Sequence, residues 1–364
     1  MIIDRSSPIP QYFQLQTWLI EQIEQGVFKT DDKIPTEEEL AQITGLARAT
    51  IRQAIQNLVH MGYLIRKKRL GTFVIERRTG REKKPMIGIL LPDIRTGYAP
   101  ILARGAEDEA ARSNYSLILC NTDDLFVKAD FHATRLIENS VSGVVFIPTA
   151  ADDERNHQIV DKFIRHNIPV VLADRTVQFQ DLDYVTTDNF DGGYKLTEYL
   201  IQKGHTRIGI SLSDRFSTER DRLSGYKRAL LDHNLPIDPD IIMIHRGPFV
   251  EKPYVQHART LLKRSNNVSA IFAGHDRIAY VVFSVAEQMN ISIPEEVSLV
   301  GYDDLEPACT HMVPLTTMHQ PIYEMGQESM RMIINRISGV CNGGQQLVLK
   351  SVFKDGGSVK ERNL

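Results

Sequence analysis

Residues 47–75 read ARATIRQAIQNLVHMGYLIRKKRLGTFVI, and this stretch decides the fold of the N-terminal part of the chain. Apolar residues recur at helical spacing from Ile51 to Val59, and Gly62 ends the helical pattern. Two short runs of β-forming residues follow, and the four consecutive basic residues 66–69 stand between them. The pattern predicts a helix that is followed by a β-hairpin with a basic tip.

Two further helices are predicted before this stretch. Apolar residues at helical spacing extend from Tyr12 to Ile23. Thr36 and Glu39 have the spacing of a capping box, in which each side chain bonds to the other residue's backbone N–H, so a second helix is predicted to begin there. Three helices and a hairpin form a winged helix-turn-helix, a small α+β domain that we place at residues 1–75.

The charge of this region points to a polyanionic partner. Residues 48–84 contain 11 basic and two acidic residues, although the whole chain has a net charge of −3. Arg48 and Arg52 are four residues apart and share one face of the third helix, which in such domains enters the major groove of DNA. Arginine binds guanine bidentately. The sequence predicts binding to double-stranded DNA; a solvated charge run and a winged helix that binds protein are the alternatives.

The rest of the chain has a different sequence pattern. Residues 76–85, ERRTGREKKP, lack apolar side chains and are predicted to form a linker. From Met86 onward, apolar runs such as IGILLP, PVVLAD and VSLVGYD alternate with helical stretches. This alternation predicts an α/β fold with doubly wound parallel sheets, whose strands are buried on both faces. Ligands of such folds bind beyond the carboxyl ends of the strands, so residues that follow the apolar runs are candidate ligand contacts.

Both parts of the chain carry family motifs. Residues 8–75 resemble the winged helix of the GntR (gluconate-repressor) family, through the motifs Pro10-x-Tyr12, Ile34-Pro35-Thr36-Glu37-x-Glu39-Leu40-Ala41, Arg48-x-Thr50-Ile51-Arg52 and Gly71-Thr72-Phe73-Val74. Residues 86–355 resemble the effector domain of the lactose/galactose-repressor family, through Ile168-Pro169-Val170-Val171 with Asp174, Arg222-x-x-Gly225-Tyr226, Ala273-x-His275-Asp276 and Val300-Gly301-Tyr302-Asp303-Asp304. That effector domain is similar to periplasmic sugar-binding proteins. The fusion of the two is most similar to the arabinose-repressor group.

These resemblances imply two binding surfaces and a homodimer. The effector and dimerisation domain is expected to have two lobes and to extend over residues 86–364. The residue types and the resemblance together indicate DNA contacts at Thr36, Glu37, Arg48, Thr50, Arg52, Gln53, Arg69 and Gly71. They indicate effector contacts at Asp93, Tyr98, Asp174, Arg175, Arg222, Phe249, His275, Asp276, Asp303 and Gln320.

Each effector contact also has a structural interpretation. Asp303 can instead cap a turn, and Arg222 can form an ordinary surface ion pair. Tyr98 and Phe249 can pack in the core or at its rim. His275 stands where the family usually has an amide, which leaves the identity of the sugar open.

Several classes of protein are disfavoured by what the sequence lacks. It has no phosphate-binding P-loop, nucleophile elbow, HExxH motif or dinucleotide-binding glycine motif, so an enzyme that acts on carbohydrates is only a remote alternative. The three cysteines are far apart and form no metal-binding pattern, so neither a disulfide framework, a metal nor a cofactor is expected. No signal peptide or membrane span is indicated, and we expect a cytoplasmic protein.

The sequence therefore leads to one functional hypothesis with an open ligand. The chain is expected to repress carbohydrate-utilisation genes and to leave its operator when a small sugar binds. L-arabinose is the first candidate on group resemblance. A sugar phosphate or another small polar metabolite is the alternative effector, and action as a corepressor is the alternative logic.

Overall fold

The structure is a computed structural model that describes residues 3, 10–68, 70–75, 85–178, 182–306, 313–340 and 344–362. The chain divides into two compact units, Met1–Lys83 and Lys84–Leu364. The predicted linker lies outside the described residues except for Pro85. The boundaries expected at residues 75 and 86 stay predictions.

The first unit contains three helices and a hairpin in the described residues. The helices are α1 (Gln11–Glu24), α2 (Glu37–Thr44) and α3 (Arg48–His60), and the strands are β1 (Leu64–Lys67) and β2 (Gly71–Val74). The capping box at the start of α2 is present, with the Thr36 hydroxyl accepting from the Glu39 backbone N–H and the Glu39 carboxylate accepting from the Thr36 backbone N–H. Leu15, Leu40 and Ile51 are fully buried and pack the three helices together.

The second unit is built on two parallel sheets. Its strands are β3 (Met86–Leu91), β4 (Ser116–Asn121), β5 (Gly143–Phe146), β6 (Val170–Ala173), β7 (Asp183–Thr187), β8 (Ile208–Ser213), β9 (Ile242–His245), β10 (Ala270–Ala273), β11 (Ser298–Val300), β12 (Thr317–His319), β13 (Gln346–Leu349) and β14 (Val352–Lys354). One sheet has the order β13-β7-β6-β5-β3-β4, and the other has the order β11-β10-β8-β9. Apolar clusters cover both faces of each sheet, as the apolar runs predicted.

Helices cover these sheets and divide the unit into two lobes. They are α4 (Ala99–Arg112), α5 (Phe126–Glu138), α6 (Asp153–Ile164), α7 (Asn189–Gln202), α8 (Ser217–Asp232), α9 (Glu251–Leu261), α10 (Asp276–Gln288) and α11 (Ile322–Ile337). The first lobe contains the sheet β13-β7-β6-β5-β3-β4, and the second lobe contains the sheet β11-β10-β8-β9. In the described part of the chain, the backbone passes between the lobes after β7, between β12 and α11, and between β13 and β14.

Four strands of this unit were not predicted. β7 contains polar residues and alternates buried with half-buried positions, so it lacks a continuous apolar run. β13 (QLVL) is the edge strand beside β7, and its positions alternate between exposed and half-buried. β12 and β14 pair antiparallel, with Met318 opposite Phe353, close to where the chain passes between the lobes. Each of these two strands has only three residues, which is too short to leave a periodic signal in the sequence.

Candidate functional site

The first unit has a surface groove between the start of α2 and the hairpin. Its walls are formed by Lys33, Ile34, Pro35, Thr36, Glu37, Ile55, Arg66, Lys67, Lys68, Gly71 and Thr72. Arg48, Arg52 and Gln53 are exposed on α3, and Thr50 is half-buried. Arg69 lies outside the described residues. The structure thus places Thr36, Glu37 and Gly71, three of the predicted DNA contacts, in one groove.

Glu37 connects α3 to the hairpin. One of its carboxylate oxygens accepts a hydrogen bond from Arg52 Nη2 at 3.1 Å, and the other accepts one from Arg66 Nη2 at 2.9 Å. Glu38 pairs in the same way with Arg48. Exposed ion pairs contribute only about 0.2–1 kcal/mol each, so guanine bases or phosphates can replace these carboxylates when DNA binds. Until then the pairs hold the arginines on one surface.

The second unit has a cavity between its lobes, at the carboxyl ends of the parallel strands. The space that the centre of a water-sized sphere can occupy in it is about 70 Å³, and the cavity is partly open to solvent. The first lobe lines it with Pro92, Asp93, Thr96, Gly97, Tyr98, Ala99, Asp124, Asp174 and Arg175. The second lobe and the segments between the lobes contribute Phe216, Thr218, Glu219, Arg222, Phe249, His275, Arg277, Asp303, Leu305 and Gln320.

This lining includes every predicted effector contact except Asp276. The Asp276 carboxylate is buried beneath the cavity, where it accepts hydrogen bonds from the Leu305 backbone N–H and the Thr317 hydroxyl, both at 2.8 Å. Gly301 packs directly against it, and a Cβ at that glycine would lie 2.2 Å from the carboxylate. The predicted effector contact of Asp276 is therefore corrected: the side chain holds the segment that follows β11.

Arg175 is fixed by partners on all sides. Its guanidinium donates to the Asp124 carboxylate and, at 2.8 Å, to the Pro148 carbonyl oxygen, and its Nε lies 3.8 Å from Asp174. The guanidinium carbon lies 3.8 Å above the centre of the Phe216 ring, which belongs to the second lobe. Arg175 therefore joins the ends of two first-lobe strands and contacts the opposite lobe.

Arg222 is held by a similar set of contacts in the second lobe. Its Nε donates to Asn189 Oδ1 at 2.9 Å, its Nη1 donates to the Gly274 carbonyl oxygen at 2.7 Å, and its Nη2 lies 3.5 Å from the Asp303 carboxylate. The guanidinium lies 3.7 Å above the Tyr302 ring. Such a side chain is preorganised, because its contacts restrict it to one orientation.

Gln320 extends this network to the chain segments between the lobes. Its amide nitrogen donates to Asp303 at 2.6 Å, and its amide oxygen accepts from the Thr187 hydroxyl at 2.6 Å. Thr187 ends β7, Asp303 follows β11 and Gln320 precedes α11, so the three residues come from different passages of the chain. A ligand that touches Asp303 or Gln320 therefore contacts the segments about which the lobes can move.

Several ionisable side chains around the cavity have pKa values that differ from their ordinary values. Burial raises the pKa of the Glu219 carboxyl to about 7, and one of its oxygens accepts from the Ser213 backbone N–H at 2.8 Å. Burial also raises the pKa of Asp303, and burial together with the nearby Asp303 charge raises that of Asp276. His275 is held neutral, since burial lowers its pKa. The cavity thus offers groups that can both donate and accept hydrogen bonds.

Apolar rings supply the remaining surface. Phe249 stacks on Tyr254 with 5.2 Å between the ring centres. The guanidinium carbon of Arg277 lies 4.0 Å from the centre of the Phe249 ring. The Tyr98 hydroxyl is buried and makes no hydrogen bond of normal geometry to the described residues. Burial raises the pKa of this hydroxyl, so it remains a donor.

The backbone at the strand ends adopts unusual angles. Asp124, Asp174 and Asp303 have φ values of 57°, 61° and 111°, in the region that non-glycine residues rarely occupy. Aspartate tolerates this region better than most residues, because its short side chain can hydrogen bond locally. Such strain concentrates at functional sites. The three turns aim their carboxylates at the same cavity.

Sequence reasoning missed four notable residues of the lining. Asp124 follows β4, so the rule on strand ends could have found it. Phe216 and Glu219 lie around the start of α8, and Arg277 lies in the first turn of α10. Those positions are several residues beyond a strand, and only the direction of each helix shows that they reach the cavity.

Comparison with known proteins agrees with this geometry. Residues 11–74 match the model of the bacterial regulatory proteins of the gntR family, and residues 197–359 match that of the periplasmic binding protein-like domain. The chain joins a gntR-family regulatory domain to a periplasmic-binding-protein-like domain. These matches confirm the two predicted families and the predicted fold class.

Several known proteins are similar to this chain. The regulator is 29% identical to the arabinose metabolism transcriptional repressor of Geobacillus stearothermophilus, over 92% of this chain and 93% of the relative. It is 27% identical to the ribose operon repressor of Escherichia coli strain K12, over 89% of this chain and 99% of the relative. A LacI family transcriptional regulator from Enterococcus faecium, solved with bound ribose, is 28% identical over 76% of this chain and 100% of that one, with a TM-score of 0.66. The regulator is a DNA-binding transcription factor.

Among the residues that the structure describes, no helix combines the length and apolar character needed to cross a membrane. Within the same residues, no group of three or more His, Cys, Asp and Glu side chains is placed to hold a metal ion.

Proposed function

We propose that this regulator represses carbohydrate-utilisation genes and leaves its operator when a small sugar binds between the lobes. L-arabinose is the first candidate, because the fusion of domains is most similar to the arabinose-repressor group. A sugar phosphate or another small polar metabolite is the alternative effector, and action as a corepressor is the alternative logic.

One observation carries the proposal: fixed carboxylates, guanidinium groups and an aromatic ring converge on one cavity. Sugar hydroxyls donate and accept hydrogen bonds, and charged partners such as Asp174 and Arg222 form the strongest of them. Phe249 adds apolar surface to the lining, which suits the apolar part of a sugar. The remaining predicted contacts, from Asp93 to Gln320, belong to the same proposal apart from Asp276.

The network around Gln320 supports a coupling of the cavity to lobe movement. Effector binding stabilises one angle between the lobes, as in other hinged binding domains. If that angle is incompatible with two heads bound to one operator, DNA affinity falls. Linkage then requires DNA to weaken effector binding by the same factor, typically about 5–150-fold.

A homodimer is part of the proposal, since winged helices commonly read two half-sites with two heads. β4 forms an open edge of the sheet in the first lobe, and its Leu119 is 52% exposed. On the neighbouring α5, Val127 and Phe131 are 76% and 57% exposed. A second copy that covers this edge would bury these side chains. Analytical ultracentrifugation of the full chain tests the stoichiometry.

The proposal assigns no catalysis to the cavity and places the regulator in the cytoplasm, where its DNA is accessible. The carboxylates bind hydroxyl groups rather than transfer protons. Incubation of the purified protein with each sugar that stabilises it, followed by chromatography, is expected to return the sugar unchanged.

The decisive experiment measures both ligands on one preparation. A panel of pentoses and hexoses is tested for a rise in melting temperature, since a ligand that binds only the folded state stabilises it by RT ln(1 + [L]/Kd). Duplexes selected from a random library are then titrated by fluorescence anisotropy at several salt concentrations, with and without the stabilising sugar. We expect salt-sensitive DNA binding that the sugar weakens. A sugar that stabilises the protein but leaves DNA affinity unchanged contradicts the proposal.

A further inference from the structure

Arg277 differs from the other two arginines of the cavity. Arg175 pairs with Asp124, and Arg222 pairs with Asp303. Arg277 makes no ion pair or hydrogen bond to any residue in the described ranges, although its side chain lines the cavity. Among the described residues that line the cavity, it is therefore the cation whose hydrogen-bond donors remain available.

The position of Arg277 is nevertheless well defined. Its guanidinium carbon lies 4.0 Å from the centre of the Phe249 ring. A Cβ placed on Gly97, in the opposite lobe, would lie 3.7 Å from Arg277 Cδ, so the side chain reaches across the mouth of the cavity. Stacking occupies a face of the guanidinium and leaves the N–H groups at its edge free for a planar acceptor.

The nearest carboxylates do not neutralise this cation by direct contact. Asp93 and Asp124 attract it electrostatically from the first lobe, but Asp93 is bonded to Arg95 and Asp124 is bonded to Arg175. Burial outweighs that attraction and lowers the pKa of Arg277. A partly buried charge without a partner is costly, and proteins normally pair such charges.

We propose that Arg277 binds an anionic group of the effector, a carboxylate or a phosphate carried by a monosaccharide. This inference rests on the proposed function and, among its candidate effectors, favours a sugar phosphate or another acidic sugar over neutral L-arabinose. Arg277 forms a two-point contact to the anion at the mouth of the cavity, while the hydroxyl groups bind to the deeper carboxylates. It thereby favours acidic sugars over their neutral parents.

Two other acids of the cavity do not oppose this assignment strongly. Asp174 and Glu219 line the same cavity. Neither carboxylate has an arginine as close to it as Arg175 is to Asp124. Burial raises the pKa of both carboxyls, so they take up a proton more readily than exposed acids and repel an anion less. Their protonated forms can also donate hydrogen bonds to the ligand.

The test compares matched ligands on the full chain. Each pentose and hexose of the panel is titrated calorimetrically beside its aldonate or uronate and beside its monophosphate, so that the carboxylate and phosphate sources are separated. We expect one acidic member to bind at least tenfold more tightly than its neutral parent. Arg277→Gln is expected to weaken that acidic ligand by about 10- to 100-fold, the range of a charge-assisted hydrogen bond, and to leave the neutral parent within threefold.

Two further variants control the interpretation. Arg246→Gln removes one positive charge from the same lobe at an exposed site that pairs with Asp214, and it should leave the acid preference unchanged. Arg277→Lys keeps the charge but loses the planar fork, and it should restore part of the acidic affinity, which also serves if Arg277→Gln folds poorly. Tighter binding of a neutral sugar, or equal losses for both ligands in Arg277→Gln, overturns this inference and leaves the sugar proposal standing. Failure of every sugar, acidic or neutral, overturns both.

Discussion

The guanidinium of Arg222 lies 3.5 Å from the carboxylate of Asp303, and the two side chains are only 4% and 7% exposed. Asp303 also accepts a hydrogen bond from the Gln320 amide, which in turn accepts one from the Thr187 hydroxyl. The Arg222–Asp303 pair is therefore connected to the segments between the lobes. Arg222 is therefore not the surface ion pair that the sequence left open. Breaking the pair should affect stability and effector response together.

Replacement of Arg222 by alanine should abolish the effector response and keep DNA binding. Loss of one partner from a buried ion pair typically destabilises by about 3–5 kcal/mol, because the other charge stays buried. Thermal unfolding and anisotropy with a selected duplex measure the two effects. If Arg222→Ala is too unstable, Asp303→Asn removes the charge with little change of shape. A variant that binds the effector normally would show that Arg222 is not a contact.

Replacement of Arg52 by alanine should weaken operator binding and leave effector binding intact. A lost arginine–guanine contact costs about 1–3 kcal/mol of discrimination, and Glu37 is left with Arg66 as partner. Fluorescence anisotropy at fixed salt concentration measures the affinity for DNA, and the thermal shift caused by the effector measures the affinity for the effector. Arg228→Ala is the matched control, because Arg228 is an exposed arginine bonded to Asp232 in the second unit. Equal losses in both variants would contradict the assignment.

The stability of the second unit should decrease with rising pH on account of Glu219. The carboxyl has an ordinary pKa of 4.5 and a pKa of about 7 in the folded protein. Between these values the folded state holds a proton that the unfolded state has lost, so the free energy of unfolding falls as pH rises from about 4.5 to about 7. The contribution is roughly 1–3 kcal/mol. Urea unfolding across this range should show that Glu219→Gln lacks this decrease; identical profiles would refute the prediction.

His205 should act in the opposite direction. It is buried between the Ser269 hydroxyl and the Lys360 carbonyl oxygen, and burial lowers its pKa from 6.5 to about 4. The unfolded state binds a proton in this range and the folded state does not, so stability is lost as pH falls from about 6.5 to about 4. We expect about 1–3 kcal/mol for this contribution as well. The same urea series on His205→Gln should show a smaller loss toward acid pH, and an unchanged loss would assign it to other groups.

Four residues between β7 and β8 have structural roles in the second lobe. Asp188 caps α7 through a hydrogen bond to the Asp191 backbone N–H, and His205 is a structural hydrogen-bonding residue. Gly192 and Gly193 pack against Tyr302 and the Arg222 backbone, where a Cβ would lie within 2.4 Å of their atoms. The Asp188 cap joins neighbours along the chain, whereas the bonds of His205 and the packing of the two glycines join residues that are far apart in the sequence.

The sequence by itself determined where the capped helix α2 begins, that the continuous apolar runs are buried strands, and that a basic head precedes an α/β body. Those properties arise from short-range bonding and from hydrophobic periodicity, as the Thr36–Glu39 capping box illustrates. Only the tertiary structure decided that Glu219 and Arg277 reach the cavity while Asp276 lies beneath it. Distance, burial and protonation at these positions are set by groups on other strands and helices, and no local pattern of residues encodes them.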